Sequence, residues 1–241
     1  QDKVDLILVF PTEASLEAKE VTKGTNIPII STSALMEGNG LIESVQHPGD
    51  NVTGVRLPVR EIAAKRLEIL HTLVPEAKRV LVPYLKDYPT VAPSLEALRP
   101  IVTPLGITLI EAPFSSPPEV EAYFKTLSTK GDVGIDAVLF IAEPVSIIPA
   151  FRDAILAFAE THKIPVGGVG LSADDSGQIF SLMPESAGMG QLAAPLADKI
   201  FKGIPAGTIP VVTPDPVLEI NNRVIEKLGL SVSETLLSTA K

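Results

Sequence analysis

The stretch that decides the fold is His47–Val55, HPGDNVTGV, with RLPVREIAAKR (Arg56–Arg66) directly behind it. The first part reads as a turn cluster followed by a five-residue strand, Asn51 to Val55, and the second opens a long helix. A short strand isolated between a turn and a helix needs a topological reason. Asn51-Val52-Thr53 also spells an N-glycosylation sequon, a triplet that arises often by chance and matters only in a eukaryotic secretory pathway.

Working outward, strand and helix patterns alternate along nearly the whole chain. Val4–Phe10 is a continuous apolar run, as expected of a strand covered on both faces. Thr12 is placed to N-cap a helix from Glu13 to Lys23. A strand at Ile27–Ile30 and the strand Asn51–Val55 follow. Next comes a helix from Arg60 to Val74, with Ala63, Leu67, Leu70 and Val74 at helical spacing. Further strands are expected at Arg79–Tyr84, Ile107–Ala112, Ala137–Ile141, Pro165–Val169 and Ile179–Met183. The helices between them include one opened by Ser116-Pro117-Pro118-Glu119, a capping box with proline just inside. Another runs from Pro149 to His162, and a third from Ser186 to Lys202, closed by Gly203. Pro100 and Pro195 fall inside expected helices, where each should kink or interrupt the ladder. Such alternation implies α/β architecture, with parallel sheets flanked by helices.

Composition narrows the function. The 241 residues support one large or two smaller domains, and 45% hydrophobic content excludes a disordered chain. A net charge of −9 argues against a nucleic-acid partner. Zero cysteines leave no disulfide, thiol nucleophile or thiolate metal site, and suit an oxidising compartment. No apolar run is long enough to span a bilayer. The chain opens with Gln1 and enters a β run at once, so a signal peptide would lie upstream of it.

Catalytic signatures fail in turn. There is no Walker loop. Gly167-Gly168-Val169-Gly170 has the wrong spacing for a dinucleotide fingerprint, and Ser172 lacks the second glycine of a nucleophile elbow. His47, His71 and His162 have no neighbours that complete a metal site. Asp174-Asp175-Ser176-Gly177 lacks the alternating ligands of a calcium loop and reads as a solvated turn. The chain is therefore expected to be no enzyme, with no cofactor and no metal.

Three segments carry a resemblance: IPIISTSALMEGNGLIESVQHPGDNVTGV (Ile27–Val55), KRLEILHTLVPEAKRVLVPYL (Lys65–Leu85) and LEINNRVIEKLGLSVSETLLSTA (Leu218–Ala240). In order and spacing they resemble the solute-binding proteins of ABC importers whose best-known members bind tryptophan and related aromatic amino acids. That resemblance implies a type I periplasmic-binding-protein fold, with two doubly wound, Rossmann-like α/β lobes joined by crossover strands and a small ligand trapped in the cleft between them. It implies lobes of 1–57 with 178–208, and 58–177 with 209–241, crossing back near Gly177–Ile179 and returning near Thr208–Val211. Asn51–Val55 then becomes the last strand of the first lobe, which answers the opening question. Family members begin a pair of strand–helix units earlier, so the first lobe is expected to be incomplete, with an exposed or covered edge near Val4–Phe10. The resemblance also departs at Leu35-Met36-Glu37, where relatives often carry Asp-Pro. It implies a membrane permease as partner and a periplasmic or extracellular location, lipid-anchored or secreted. The alternative is the ligand-sensing domain of a signalling receptor with the same fold.

In doubly wound sheets ligands collect beyond the carboxyl ends of the strands. That rule selects Thr12, Glu13, Ala14, Ser31, Thr32 and Ser33 in the first lobe, and Tyr84, Leu85, Glu143, Pro144, Gly170 and Ser172 in the second. Thr12 matches the family's Gly-Thr-Pro-Ala-Ala loop, although Pro11 and Glu13 replace its neighbours. The helix behind it offers free N–H groups to a ligand carboxylate, while Thr12 also reads as a simple cap. Glu143 is placed either to receive a ligand ammonium or to lie exposed on the surface, and Tyr84 either to stack on a flat ligand or to join the core. The resulting set suits an amino acid, with an aromatic one favoured by the resemblance.

Overall fold

The computed structural model describes residues 4–171 and 177–241. Nine strands form within them: β1 (Ile7–Val9), β2 (Ile29–Ala34), β3 (Val52–Arg56), β4 (Arg79–Leu85), β5 (Thr108–Phe114), β6 (Ala137–Leu139), β7 (Val166–Gly168), β8 (Gln178–Met183) and β9 (Val217–Ile220). The helices are α1 (Thr12–Val21), α2 (Val59–Leu73), α3 (Val91–Val102), α4 (Pro117–Ser128), α5 (Pro144–Ile147), α6 (Pro149–His162), α7 (Ser186–Phe201), α8 (Asn222–Lys227) and α9 (Glu234–Leu237).

Two compact units result, one running through Pro58 and including Pro184–Pro216, the other Val59–Met183 with Val217–Lys241. The first crossing falls after Pro58, next to its expected place. The other two lie later than the resemblance implied. β8 hydrogen-bonds to β7 in parallel and to β9 in antiparallel register, which makes Gln178–Met183 part of the second sheet. Ile209 and Val211 are buried in the first unit's clusters, where the Val212 N–H donates to the Gly54 carbonyl at 2.9 Å. Backbone pairing, rather than helix boundaries, sets where the chain changes sheets.

In the first unit the sheet order is β1-β2-β3, all parallel. One face packs Ile29, Val52, Met36 and Leu41 with Leu16 of α1, and the other packs Ile30 and Val55 with Met189, Ala193 and Leu196 of α7. Both faces are covered, so β2 and β3 bury nearly every side chain. Gly54 explains the turn-strand stretch further: a Cβ there would meet the Ser31 carbonyl oxygen at 1.9 Å, so only glycine lets β3 approach β2 this closely. Asn51 is structural too. Its Nδ2 donates to Thr22 Oγ1 at 3.0 Å and to the Ile27 carbonyl at 2.6 Å, which occupies the amide nitrogen a glycan would need.

β1 has a single strand neighbour among the described residues. Leu8 and Phe10 are 65% and 70% exposed. With Leu6 and the small residues Gly190, Ala194 and Ala197 of α7 they line an open groove of about 450 Å³.

The second unit holds the sheet β5-β4-β6-β7-β8-β9, parallel except for β9. Arg66 lies on the buried stripe of α2 at 1% exposure. It donates from Nε and Nη2 to the Leu182 carbonyl at 3.1 and 2.7 Å, and burial pulls its pKa down to about 9. Pro100 and Pro195 lie inside α3 and α7. The capping box at Ser116 does not form: Ser116 makes no side-chain cap, and Glu119 accepts the N–H of Ser115, one residue before the cap position, at 2.9 Å.

Two outcomes follow. Gly54→Ala forces β3 from β2 and is expected to lower stability by about 1–3 kcal/mol or more, measured by urea unfolding. An apolar, unpaired edge templates strand pairing. A chain of these residues should therefore self-associate, and Leu8→Lys with Phe10→Glu should reduce that association in light scattering.

Candidate functional site

In a parallel sheet every strand points its carboxyl end the same way, so the loops leaving those ends converge at one end of each unit. The first unit builds its end from hydroxyls. Thr12, expected as an N-cap, is instead the first residue of α1, and Pro11 occupies the cap position. The Thr12 hydroxyl is 1% exposed and accepts the Leu35 N–H at 2.9 Å, which ties the start of α1 to the loop after β2. Ser15, one turn along α1, donates to the Pro11 carbonyl at 2.7 Å and shares a 2.7 Å contact with the Ser31 hydroxyl, both groups fully buried. Thr32 is half-buried and donates weakly to the Val9 carbonyl at 3.4 Å. Ser33 sits at φ 51, where the β2–β3 register slips between Thr32 and Ala34. That bulge redirects Ser33 at the strand end, a device concentrated near functional sites. Glu13 is exposed and Ala14 half-buried.

The sequence reading passed over Arg56 here. It ends β3, pairs with Glu37 at 2.8 Å, and donates from Nε to Thr213 Oγ1 at 2.8 Å. The strand-end rule that selected Ser31–Ser33 applies to it equally. Treating Arg56 only as connecting chain hid it.

The second unit builds its end from one carboxylate and one amide. Glu143 is not a surface residue. It is 1% exposed; Oε2 accepts the Leu85 N–H at 2.8 Å and Oε1 the Ser146 N–H at 3.2 Å. Burial raises its pKa to about 7, opposed by the N–H donors of Leu85, Val145 and Ser146. Pro144 opens α5 directly behind it. Thr90 Oγ1 donates to the Ala142 carbonyl at 2.7 Å, and Ser146 Oγ lies 2.8 Å from the Ile141 carbonyl and 2.7 Å from that of Glu143. Tyr84 is half-buried. Its hydroxyl titrates high, from burial first and then from the charge of Glu111. Gly170, at φ 63, is held by its N–H to Ser181 Oγ at 2.9 Å and by Gln178 Nε2 to its carbonyl at 2.5 Å. Ser172 and Asp174–Ser176 lie outside the described residues. Ile147 and Ile148, 54% and 44% exposed, add an apolar surface beside Glu143 that the sequence reading did not single out.

The structure therefore joins Thr12 to Leu35, Ser31 to Ser15, and Leu85 to Glu143. It keeps Gly170 with Gln178. Among the described residues no cluster of three or more His, Asp or Glu side chains is placed to hold a metal ion.

A family model described as ABC transporter substrate binding protein matches residues 1–241. A tyrosine-binding protein of Clostridioides difficile (strain R20291) is 28% identical over 232 residues, which is 95% of this chain and 64% of the relative. The chain thus spans under two thirds of that protein. Among solved structures, an ABC domain in complex with L-Trp from Streptococcus pneumonia aligns with a TM-score of 0.84 at 20% identity, covering 99% of this chain and 80% of that one. A conserved domain protein from Vibrio cholerae O1 biovar eltor aligns at 0.82 and 23% identity, covering 99% and 78%. At such identities the structural likeness speaks for the fold, that of type I periplasmic-binding-protein-like solute-binding proteins.

One test belongs to this geometry. Thr12→Val orphans the buried Leu35 N–H and should cost about 1–3 kcal/mol, whereas Thr12→Ser keeps the acceptor and most of the stability; thermal unfolding of both variants decides it.

Proposed function

We propose, from the premise that the chain belongs to the ABC transporter substrate-binding protein family, that it is the ligand-binding component of an importer and that its ligand is an amino acid, preferably an aromatic one. The observation that carries this reading is the strand-end chemistry of the first unit. The N-terminus of α1, with its orphan N–H groups, opens at Thr12 beside Ser31–Ser33, a setting suited to a ligand carboxylate. In the second unit, Tyr84, Leu85, Pro144 and Gly170 are the proposed contacts, with the exposed Ile147–Ile148 surface for an apolar body. Glu13 and Ala14 border the first cluster. The relative named for tyrosine and the L-Trp complex favour the aromatic choice.

In this reading binding is non-catalytic. The partner is a membrane permease, and the protein works outside the cytoplasmic membrane, secreted or lipid-anchored. No helix among the described residues is long and apolar enough to cross a membrane.

A thermal-shift screen of the full-length protein with amino acids, purines and sugars tests the ligand class. Ligand at a hundred times its dissociation constant adds about 2.7 kcal/mol, a shift of roughly 5–10 °C at this size. L-Tyrosine or L-tryptophan should produce it. A shift with sugars or nucleosides and none with any amino acid overturns the reading.

A further inference from the structure

We propose that Glu143 is a positioning residue: its carboxylate locks the end of β4 to the start of α5, and that lock sets the affinity of the second unit's strand ends for ligand. The proposal rests on the reading of those ends as a ligand surface.

The argument starts from a residue choice that local structure does not require. A four-residue helix such as α5 is capped adequately by Ser, Asp or Asn. A buried glutamate adds the cost of desolvating a charge, and among the described residues no cation meets this one to offset it. What the longer side chain adds is reach. One oxygen caps the Ser146 N–H and the other holds the Leu85 N–H, from a position 58 residues away in the chain. Covalent connectivity leaves those two loops independent; the carboxylate makes them one body. Thr90, bonded to the Ala142 carbonyl, and Ser146, bonded to the Ile141 carbonyl, close the same knot.

The lock depends on ionisation. Both oxygens accept backbone N–H groups, which bind the ionised form more strongly, so a proton on either one weakens its hold on its N–H. Of the surrounding elements, the end of β4 carries Tyr84 and the loop after it Lys86, Asp87 and Tyr88, with Lys86 and Asp87 exposed. α5 carries no titratable side chain, α3 none before Glu96, and on α6 Arg152 pairs with Asp153 at 3.1 Å. The balance on Glu143 is burial against the N–H groups of Leu85, Val145 and Ser146, and it places the proton's release near pH 7. Because that value is raised above the ordinary carboxylate range, the folded protein binds the proton more tightly than the unfolded chain does. Ionised Glu143 therefore costs stability above about pH 7, and the cost is relieved as pH falls from about 7 toward 4.5. Affinity should run the opposite way, since the ionised form holds the loops.

The test is calorimetric titration of the full-length protein with L-tyrosine and with L-tryptophan at pH 8, 7 and 6. These ligands stay zwitterionic across that range. If only the ionised form binds, wild-type affinity falls about tenfold from pH 8 to pH 6. Glu143→Gln should bind at least tenfold more weakly at pH 8 and show no pH slope. Thr90→Val, which removes a neighbouring bond and leaves the carboxylate, should lower the melting temperature and keep the slope. Amide hydrogen exchange at Leu85 and Ser146 without ligand, corrected for its intrinsic pH dependence, should be faster in Glu143→Gln, and faster in wild type at pH 6 than at pH 8. If neither amino acid binds wild type, the ligand reading fails while the exchange data still decide the lock. Unchanged exchange in Glu143→Gln, or a variant pH slope equal to the wild type's, overturns the proposal. Should Glu143→Gln fail to fold, the wild-type series decides alone: no slope and no exchange difference overturn it.

Discussion

A parallel sheet gathers all its strand ends on one side, and those ends carry backbone groups that the ladder has stopped satisfying. The rest of this molecule is arranged around that constraint. Loops leaving the carboxyl ends must find partners for their N–H and carbonyl groups, because a buried unpaired group costs about as much as a hydrogen bond is worth. The first unit answers with hydroxyls: Thr12 takes the Leu35 N–H, and Ser15 bridges the Pro11 carbonyl and Ser31. The second answers with longer side chains: Glu143 spans from the β6 end to Leu85, and Gln178 closes on Val169 and Gly170.

Much of this was legible in the sequence. Continuous apolar runs marked strands covered on both faces, and the helical stripe of α2 was readable from Ala63, Leu67 and Leu70. What local pattern omits is which strand pairs with which. β8 reads the same whether it belongs to the first sheet or the second, and only its ladder to β7 and β9 decides. β9 itself, four residues long and antiparallel, carried no signal that distinguished it from loop.

The site was less legible than the fold, for a different reason. The strand-end rule selects loops but says nothing of where a side chain points. Glu143 at a strand–loop junction suggests exposure, because most glutamates are exposed; its burial follows from Leu85, 58 residues distant. Arg66 did leave a trace. It falls on the apolar stripe with Ile62, Ala63 and Leu70, and a cation at such a position implies a buried acceptor, here the Leu182 carbonyl. Ser33 left none, since its positive φ arises from a register slip against β3 that no local pattern encodes.

These bonds also bear on how a substrate-binding protein holds a ligand. Each loop that must be ordered on association subtracts from affinity, so a site gains most when its walls are fixed beforehand. The hydroxyl ties of the first unit fix their loops at little cost, because neutral groups desolvate cheaply when paired. Glu143 is the expensive choice, since a charge taken from water is recovered only in part by two or three N–H donors. A neutral side chain of similar length would spare that cost, but it would present one acceptor and one donor where Leu85 and Ser146 each require an acceptor. A carboxylate satisfies both donors at once. The chain keeps a charge in its interior because the geometry at this strand end calls for two acceptors on one rigid fork.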